Sequence, residues 1–332
     1  MTLGADGAGS AASGGAPELL EDAAPRVAAP VEGGDMHVPN TIAARLRSSL
    51  ERIVEQASEL ARGLGVRRLE RDLGTAVVMS GADFHFEKPS AAQQDAQLEL
   101  KRRYEPFSEV VRVLLRAAPE RLVSDWRKAD KKFKSAWIEL GTNYTLSADE
   151  ARNEAALRKD ADALAQVLSV LEGIGTTGVL LVPDTNSLVD QPDPVMYRPI
   201  AGRDDFTLVL LPPVLDEIDD LKIAHKNPDV RDGAMRAITR IKGWRDQARR
   251  AGRTLNDGTV VDGSITVQSL HIEPDVKGSL SWLDASVADD RIIAAVLAVA
   301  AEHPAARVVL VTGDVNLQNK ADAAMLETAD TP

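Results

Sequence analysis

The sequence contains no cysteine among its 332 residues. It therefore cannot form a disulfide, use a thiolate nucleophile or bind zinc through sulfur, and carboxylates and imidazoles are the side chains left to hold a metal. Such oxygen-rich ligand sets suit hard cations. A metal site in this chain is accordingly expected to consist mainly of aspartate and glutamate.

Long apolar runs are also missing from the sequence. No stretch approaches the ~20 apolar residues that span a bilayer, and the N-terminus lacks the charged and apolar regions of a secretory signal. These absences predict a soluble, cytoplasmic protein without a membrane partner.

An overall excess of basic residues is absent too, since the formal net charge is -12 at pH 7. This charge argues against a general nucleic-acid coat protein, because proteins that coat nucleic acids usually carry an excess of basic residues that bind the phosphates. The charge is unevenly distributed, however: residues 222–253 hold ten basic and three acidic side chains. A local basic patch is therefore embedded in an acidic protein.

Composition and periodicity divide the chain near residue 172. Residues 1–38 are rich in Ala, Gly, Pro and acidic residues and predict a disordered tail. Residues 39–172 predict a helical domain of unknown role, with helices at about 41–64, 91–118 and 119–140. Ser147, with Glu150 three residues later, is typical of a capping box and predicts a further helix that runs to about Leu171.

Residues 173–332 show a different pattern, in which short apolar runs alternate with helical segments. The runs at 179–182, 207–211, 264–271 and 307–311 predict buried strands, and the segments between them predict helices at about 213–224, 231–250, 286–301 and 315–326. This alternation indicates an α/β fold with a mainly parallel sheet flanked by helices, preceded by a mostly α-helical region.

Acidic residues follow the predicted strands or begin the predicted helices. In a parallel sheet the loops after the strands meet at one edge, so these side chains are expected to converge. A cluster of carboxylates repels itself unless cations neutralise it, which predicts a site for Mg2+ or Mn2+. Its members would be Asp184, Glu217, Asp289, Asp290 and Asp314.

Four segments in this order resemble the successive acidic motifs of PIN-domain nucleases. They are Val-Pro-Asp184-Thr-Asn186, Pro-Pro-Val-Leu-Asp216-Glu217, Asp289-Asp290-Arg-Ile-Ile and Val-Thr312-Gly-Asp314-Val-Asn316-Leu-Gln-Asn-Lys320. The resemblance implies a PIN-like (Rossmann-like) fold for residues 173–332 and a nuclease that uses one or two divalent metals. It also implies that the catalytic metal ligands are Asp184, Glu217, Asp289 and Asp314. Asp290 could replace or assist Asp289, while Asn186 and Thr312 would be supporting groups.

Each of these residues also has an ordinary structural interpretation. Asp184 and Asp314 could cap helices, the Asp289–Asp290 pair could stabilise a helix start, and Glu217 could belong to a solvated face. The basic residues could likewise only solvate a helix, whereas we expect some of them to track a phosphate backbone near the acidic site. Trp126 and Trp137 are expected to pack a helical core. The candidate nucleic-acid-binding residues are Lys222, Lys226, Arg231, Arg236, Arg240 and Arg245.

Together these features predict a metal-dependent phosphodiesterase acting on single-stranded nucleic acid. The resemblance, rather than any residue, favours RNA and hence a ribonuclease. One alternative is a catalytically inactive PIN-like scaffold that binds RNA or a protein; another is the toxin of a toxin-antitoxin pair, which the length of the chain disfavours. The N-terminal helices could dock a protein partner or form a homo-oligomer.

Overall fold

The computed structural model describes residues 40–64, 66–68, 84–86, 89–139, 146–147, 149–175, 177–271 and 276–332. The predicted disordered tail at 1–38 lies outside the described residues. The helices are α1 Ile42–Gly63, α2 Ala91–Leu114, α3 Glu120–Phe133, α4 Glu150–Glu172, α5 Thr185–Asp190, α6 Arg198–Ala201, α7 Pro212–Ala224, α8 Pro228–Arg250, α9 Ala288–Glu302 and α10 Val315–Ala323. The strands are β1 Val66–Arg68, β2 Phe84–Phe86, β3 Val179–Pro183, β4 Thr207–Leu210, β5 Thr259–Asp262, β6 Ile265–Ser269, β7 Arg307–Val311 and β8 Glu327–Ala329.

Helices α1 to α4 confirm the prediction of a mostly helical first half. Helix α1 is capped by Thr41, whose hydroxyl accepts a hydrogen bond from the backbone N–H of Ala44 over 3.1 Å. Apolar residues recur at helical spacing in this helix, and they are buried: Ile42, Leu46, Leu50, Ile53 and Ala57. Trp126 and Trp137 are buried as expected, with Trp126 against Phe107 at a ring separation of 6.0 Å. The aromatic side chains therefore pack the core of the helical region.

The predicted capping box at Ser147 is wrong. Helix α4 is capped by Asp149, whose carboxylate accepts hydrogen bonds from the backbone N–H groups of Ala151 and Arg152. The hydroxyl of Ser147 instead accepts from the backbone N–H of Asp149 over 3.2 Å. Aspartate caps a helix as well as serine does, and here the helix begins after Asp149, two residues beyond the predicted cap.

Six strands form the central sheet in the order β5-β6-β4-β3-β7-β8. All neighbouring strands are parallel except β5 and β6, which form an antiparallel hairpin. This confirms the α/β fold with a mainly parallel sheet. Strands β3 and β7 pair along their whole length, so Pro183 lies opposite Val311 at the carboxyl end of both.

The two edge strands of this sheet were not predicted. Strand β5 reaches β6 through a tight turn in which Gly263 has a φ of 55°, and both it and β8 are only partly buried. Neither edge strand contains the continuous apolar run by which the buried strands were predicted. Helix α8 also begins at Pro228 rather than near Arg231, because proline suits the first turn of a helix.

Helix α9 is buried over most of its length. It contacts β7 of the sheet, and it also contacts α2 from the helical region. The described residues between 40 and 332 form one compact unit, and its buried core includes residues of both regions. The predicted domain boundary at residue 172 stays a prediction. In the part of the chain that the structure describes, every helix is too short or too polar to cross a bilayer.

Candidate active site

The carboxyl ends of β4, β3 and β7 lie side by side at one edge of the sheet, because these neighbouring strands are parallel. Asp184 directly follows β3, and its backbone N–H donates to the carbonyl of Val311 at the end of β7 over 3.0 Å. Thr312 directly follows β7. The sheet therefore brings two predicted site residues, 128 positions apart in sequence, into contact. We refer to this side of the sheet as the carboxyl edge.

Asp184 has both of its carboxylate oxygens engaged. Oδ1 accepts from the backbone N–H of Ser187 over 2.7 Å, which caps α5, and Oδ2 accepts from the hydroxyl of Thr312 over 2.5 Å. The side chain is buried. The interpretation of Asp184 as a helix cap is thus correct, and the cap also fixes the orientation of the carboxylate at the carboxyl edge.

Asp314 caps α10 in the same way. Its Oδ1 accepts from the backbone N–H groups of Asn316 and Leu317 over 2.7 and 3.3 Å. Its own backbone N–H donates to the hydroxyl of Thr312 over 3.0 Å. Because Thr312 accepts from Asp314 and donates to Asp184, this buried hydroxyl connects the two aspartates. Its implied role as a supporting group of a metal site stays a prediction.

Asp289 and Asp290 lie in the first turn of α9 and share one partner, Lys320 of α10. The ammonium nitrogen of Lys320 lies 3.1 Å from Oδ2 of Asp289 and 2.7 Å from Oδ1 of Asp290. Asp290 is also tied to the backbone, since its Oδ2 accepts from the N–H of Asp284 over 2.9 Å. The Asp289 side chain is 36% exposed and that of Asp290 only 7%. Asp289 is thus the accessible member of the pair.

Lys320 was not assigned a role from the sequence. Burial lowers the pKa of its ammonium group, but hydrogen bonds to Asp290 and Asp289 outweigh this effect, and the pKa is raised above its ordinary value. The lysine thus stays charged and offsets part of the negative charge of the two aspartates. It lies within the last quoted motif, yet no spacing pattern in one helix reveals a partner in another helix.

Glu217 is exposed on α7, and its Oε2 accepts from the hydroxyl of Thr185 over 2.6 Å. Thr185 is buried and follows Asp184 directly, so this contact places Glu217 beside the start of α5. Asn186 is exposed on the same helix. Thr185 was not predicted as a site residue, because a hydroxyl next to an acidic motif carries no signal of its own.

A further contact network holds α5 against the sheet. The hydroxyl of Ser187 donates to the carbonyl of Val311 over 3.0 Å, and the phenol of Tyr197 donates to the carbonyls of Ser187 and Gln191, each over 3.0 Å. Burial raises the pKa of Tyr197, and the charges of Asp184 and Asp190 raise it further. The phenol therefore remains a neutral donor that supports the helix capped by Asp184.

The donor chemistry of the carboxyl edge fits a hard divalent cation, because the side chains there are carboxylates and hydroxyls. The cap bonds of Asp184 and Asp314 both fall on Oδ1. Within the described ranges of the chain, no three histidine, aspartate or glutamate side chains are grouped so as to hold a metal ion. The contacts join these acids through Thr185, Thr312 and Lys320, and the ligand set stays a prediction.

The predicted basic residues do not share one face. On a helix of 3.6 residues per turn, Arg236 and Arg240 flank one side of the buried stripe of α8, and Arg231 and Arg245 flank the other. Some are engaged locally: Arg240 pairs with Asp193 over 2.8 Å, Lys222 pairs with Asp219 over 2.9 Å, and Arg231 donates to the carbonyl of His225. Lys226, Arg236, Arg240 and Arg245 are exposed. Their role in phosphate binding stays a prediction.

A family model matches the part of the chain that contains most of the parallel sheet and the acidic residues. Residues 181–332 match the family described as PIN domain, from the middle of β3 to the end of the chain. This region is a PIN domain. No curated protein matches the chain. The PIN domain is a nuclease-type fold, and the match begins three residues before Asp184, so it includes all four acidic motifs of the sequence. The helical region lies outside the matched residues.

Proposed function

We propose that the PIN domain of this protein is a divalent-metal-dependent nuclease that hydrolyses phosphodiester bonds of single-stranded nucleic acid. Asp184, Glu217, Asp289 and Asp314 would be its metal ligands, with Asp290 in support. One observation carries the proposal: the hydroxyl of Thr312 connects Asp184 to Asp314, and Lys320 of the helix that Asp314 caps holds Asp289 and Asp290. Three of the four acidic motifs are thereby linked through side-chain contacts, which supports the proposal.

The contacts of these residues support the following roles. Asp184, Asp289 and Asp314 would hold Mg2+ or Mn2+ with Glu217, while Thr312 orients Asp184 and Lys320 reduces the repulsion between Asp289 and Asp290. When bound, such a cation lowers the pKa of a water and stabilises the leaving oxygen of the phosphodiester. Basic side chains of α7 and α8 would bind the substrate backbone, and no protein nucleophile is needed. RNA is the favoured substrate because of the likeness to PIN-domain nucleases.

A second candidate is a PIN scaffold that binds nucleic acid without cutting it. It is favoured by a specific observation, since Lys320 already neutralises Asp289 and Asp290 and would compete with a cation for their oxygens. The two candidates differ in one measurable property. The nuclease cleaves in the presence of a divalent metal, whereas the scaffold binds and leaves the substrate intact.

The test compares the wild-type protein with Asp184→Asn on labelled single-stranded RNA and DNA, in Mg2+, Mn2+ or EDTA. Asparagine also caps helices, so α5 should keep its cap, whereas the charge and the oxygen that accepts from the Thr312 hydroxyl are lost. Asp232→Asn, which removes an exposed carboxylate on α8, is the matched control. Circular dichroism checks that each variant is folded.

Cleavage by the wild type and by Asp232→Asn, but neither by Asp184→Asn nor in EDTA, would support the nuclease. Binding without cleavage in every metal would favour the scaffold. Cleavage that persists in Asp184→Asn would refute the assigned acidic site. A preference for the RNA probe over the DNA probe would support a ribonuclease.

A further inference from the structure

One aromatic side chain beside the carboxyl edge is exposed. The chain has four tryptophans. Three are buried, with exposures of 1% for Trp126, 5% for Trp137 and 6% for Trp244. Trp282 is 40% exposed. Tryptophan is a large apolar side chain, so an exposed indole on an acidic surface points to a binding role.

The backbone around Trp282 is fixed to the site. The turn closes through a hydrogen bond from the N–H of Leu283 to the carbonyl of Leu280 over 3.1 Å, and Leu280 is buried. Two residues after Trp282, the N–H of Asp284 donates to the carboxylate of Asp290 over 2.9 Å. Two residues span at most about 7 Å, so the backbone of Trp282 lies close to the carboxylate of Asp290 in the acidic first turn of α9.

Other apolar residues next to the acidic positions are exposed as well. Val287, immediately before α9, is 38% exposed, and Val315, immediately after Asp314, is 65% exposed. These positions adjoin the first turns that carry Asp289 and Asp314. The acidic edge thus has apolar surface beside its carboxylates, which a purely ionic contact with phosphates would not use.

We propose that Trp282 stacks on an unpaired base of a single-stranded nucleic acid whose backbone lies across the carboxyl edge. This inference rests on the proposed function and names a residue that would bind its single-stranded substrate. Every base has a π face, so stacking on an indole tolerates any sequence, and it requires a base that is not already stacked in a duplex. Trp282 would therefore act as a positioning residue that selects single strands.

The other tryptophans are buried, so a change in tryptophan fluorescence on binding reports on Trp282. Binding of a short oligoadenylate is measured by the quenching of tryptophan fluorescence and, separately, by the anisotropy of a labelled oligoadenylate. Both are recorded in EDTA and in Ca2+. An abasic oligonucleotide of equal length and a duplex are the ligand controls. Trp282→Phe, Trp282→Ala and Val260→Ala are the variants; Val260 is an exposed apolar residue on the edge strand β5.

We expect oligoadenylate to quench the wild-type fluorescence, and the abasic oligonucleotide and the duplex to bind more weakly without quenching. Trp282→Ala should bind oligoadenylate about 5- to 100-fold more weakly, since one stacked base contributes about 1–3 kcal/mol. Trp282→Phe should lose the quenching yet bind more tightly than Trp282→Ala, and Val260→Ala should bind like the wild type. Thermal melting checks that Trp282→Ala remains folded.

The inference would be overturned if Trp282→Ala bound oligoadenylate as tightly as the wild type does. It would also be overturned if the abasic oligonucleotide bound as tightly as oligoadenylate, or if neither buffer gave saturable binding. The proposed nuclease is judged separately by the cleavage assay. A wild type that cleaves RNA while Trp282→Ala binds normally would refute only the stacking role. A wild type whose fluorescence is quenched but which never cleaves would refute only the nuclease.

Discussion

The hydroxyl of Thr312 donates a hydrogen bond to Oδ2 of Asp184 over 2.5 Å and so joins the ends of β7 and β3. The same oxygen accepts from the backbone N–H of Asp314 over 3.0 Å. Because the hydroxyl is buried, its loss would leave the N–H of Asp314 without this acceptor and Oδ2 of Asp184 without this donor. Two aspartates of the proposed site therefore depend on one uncharged side chain.

Thr312→Val is expected to reduce stability and activity together. Valine has nearly the same shape but no hydroxyl, so the free energy of unfolding should fall by about 1–3 kcal/mol. The nuclease rate should fall by about 10- to 100-fold, as is usual when a group that orients a metal ligand is lost. Urea unfolding and the cleavage assay measure the two effects. Thr312→Ser keeps the hydroxyl and should restore most of both, and a fully active Thr312→Val would remove the positioning role.

Asp289→Asn and Asp290→Asn should affect different properties: the first should reduce cleavage and the second should reduce stability. Asp289 is the accessible carboxylate, so its loss should reduce metal-dependent cleavage by about 100-fold or more while the fold is kept. Asp290 is buried against Lys320 and the N–H of Asp284, so its loss should destabilise the protein by about 1–3 kcal/mol. Thermal melting and cleavage rates, measured on both variants, separate these outcomes. The reverse pattern would identify Asp290 as the principal ligand.

Lys320→Met should make the protein more dependent on divalent metal. Without the ammonium group, Asp289 and Asp290 repel each other, so the melting temperature in EDTA should fall. Added Mn2+ should then raise the melting temperature more than it does for the wild type, because the cation takes over the neutralisation. Lys222→Met, which breaks the more exposed pair with Asp219, is the control and should respond like the wild type. An equal response of all three proteins would show that Lys320 does not compete with the metal.

Asp257, which lies outside the candidate site, should make the stability of the protein depend on pH. The backbone N–H and the hydroxyl of Thr254 both donate to its Oδ2 over 2.8 Å, and these bonds lower the pKa of Asp257 below its ordinary value. A lowered pKa in the folded state adds stability that is fully present above the ordinary pKa of about 3.9 and is lost as the pH falls through the folded value. Asp257→Asn should therefore be less stable than the wild type at neutral pH. Urea unfolding should find that this difference shrinks as the pH falls below 3.9, and a difference independent of pH would contradict the prediction.

The sequence predicted most of the fold because the buried elements carry strong patterns. Strand β3 is a continuous apolar run, and α1 repeats its apolar residues at helical spacing, so both were located within a few residues. The edge strand β8 escaped prediction because Glu-Thr-Ala has no apolar run; it is defined by its pairing with β7. Ser147 and Asp149 are both good caps, and only the folded chain distinguishes them.

The sequence indicated the candidate acids but not the contacts that these acids make. Asp184 and Asp314 follow apolar strands, which parallel topology brings to one edge. The partners of these acids are short polar side chains from other elements, such as Thr185 and Thr312, and they have no pattern of their own. Trp282 was likewise overlooked, because exposure is a property of the packed chain.

Helix α9 is covered by β7 on one side and by α2 on another. The helix that presents Asp289 thus owes part of its shielding from water to a segment that lies outside the PIN domain. Cutting the chain near residue 172 would expose apolar surface on α9 and leave the isolated PIN domain prone to self-association. The helical half therefore covers part of the PIN domain, and both halves should melt in a single cooperative transition.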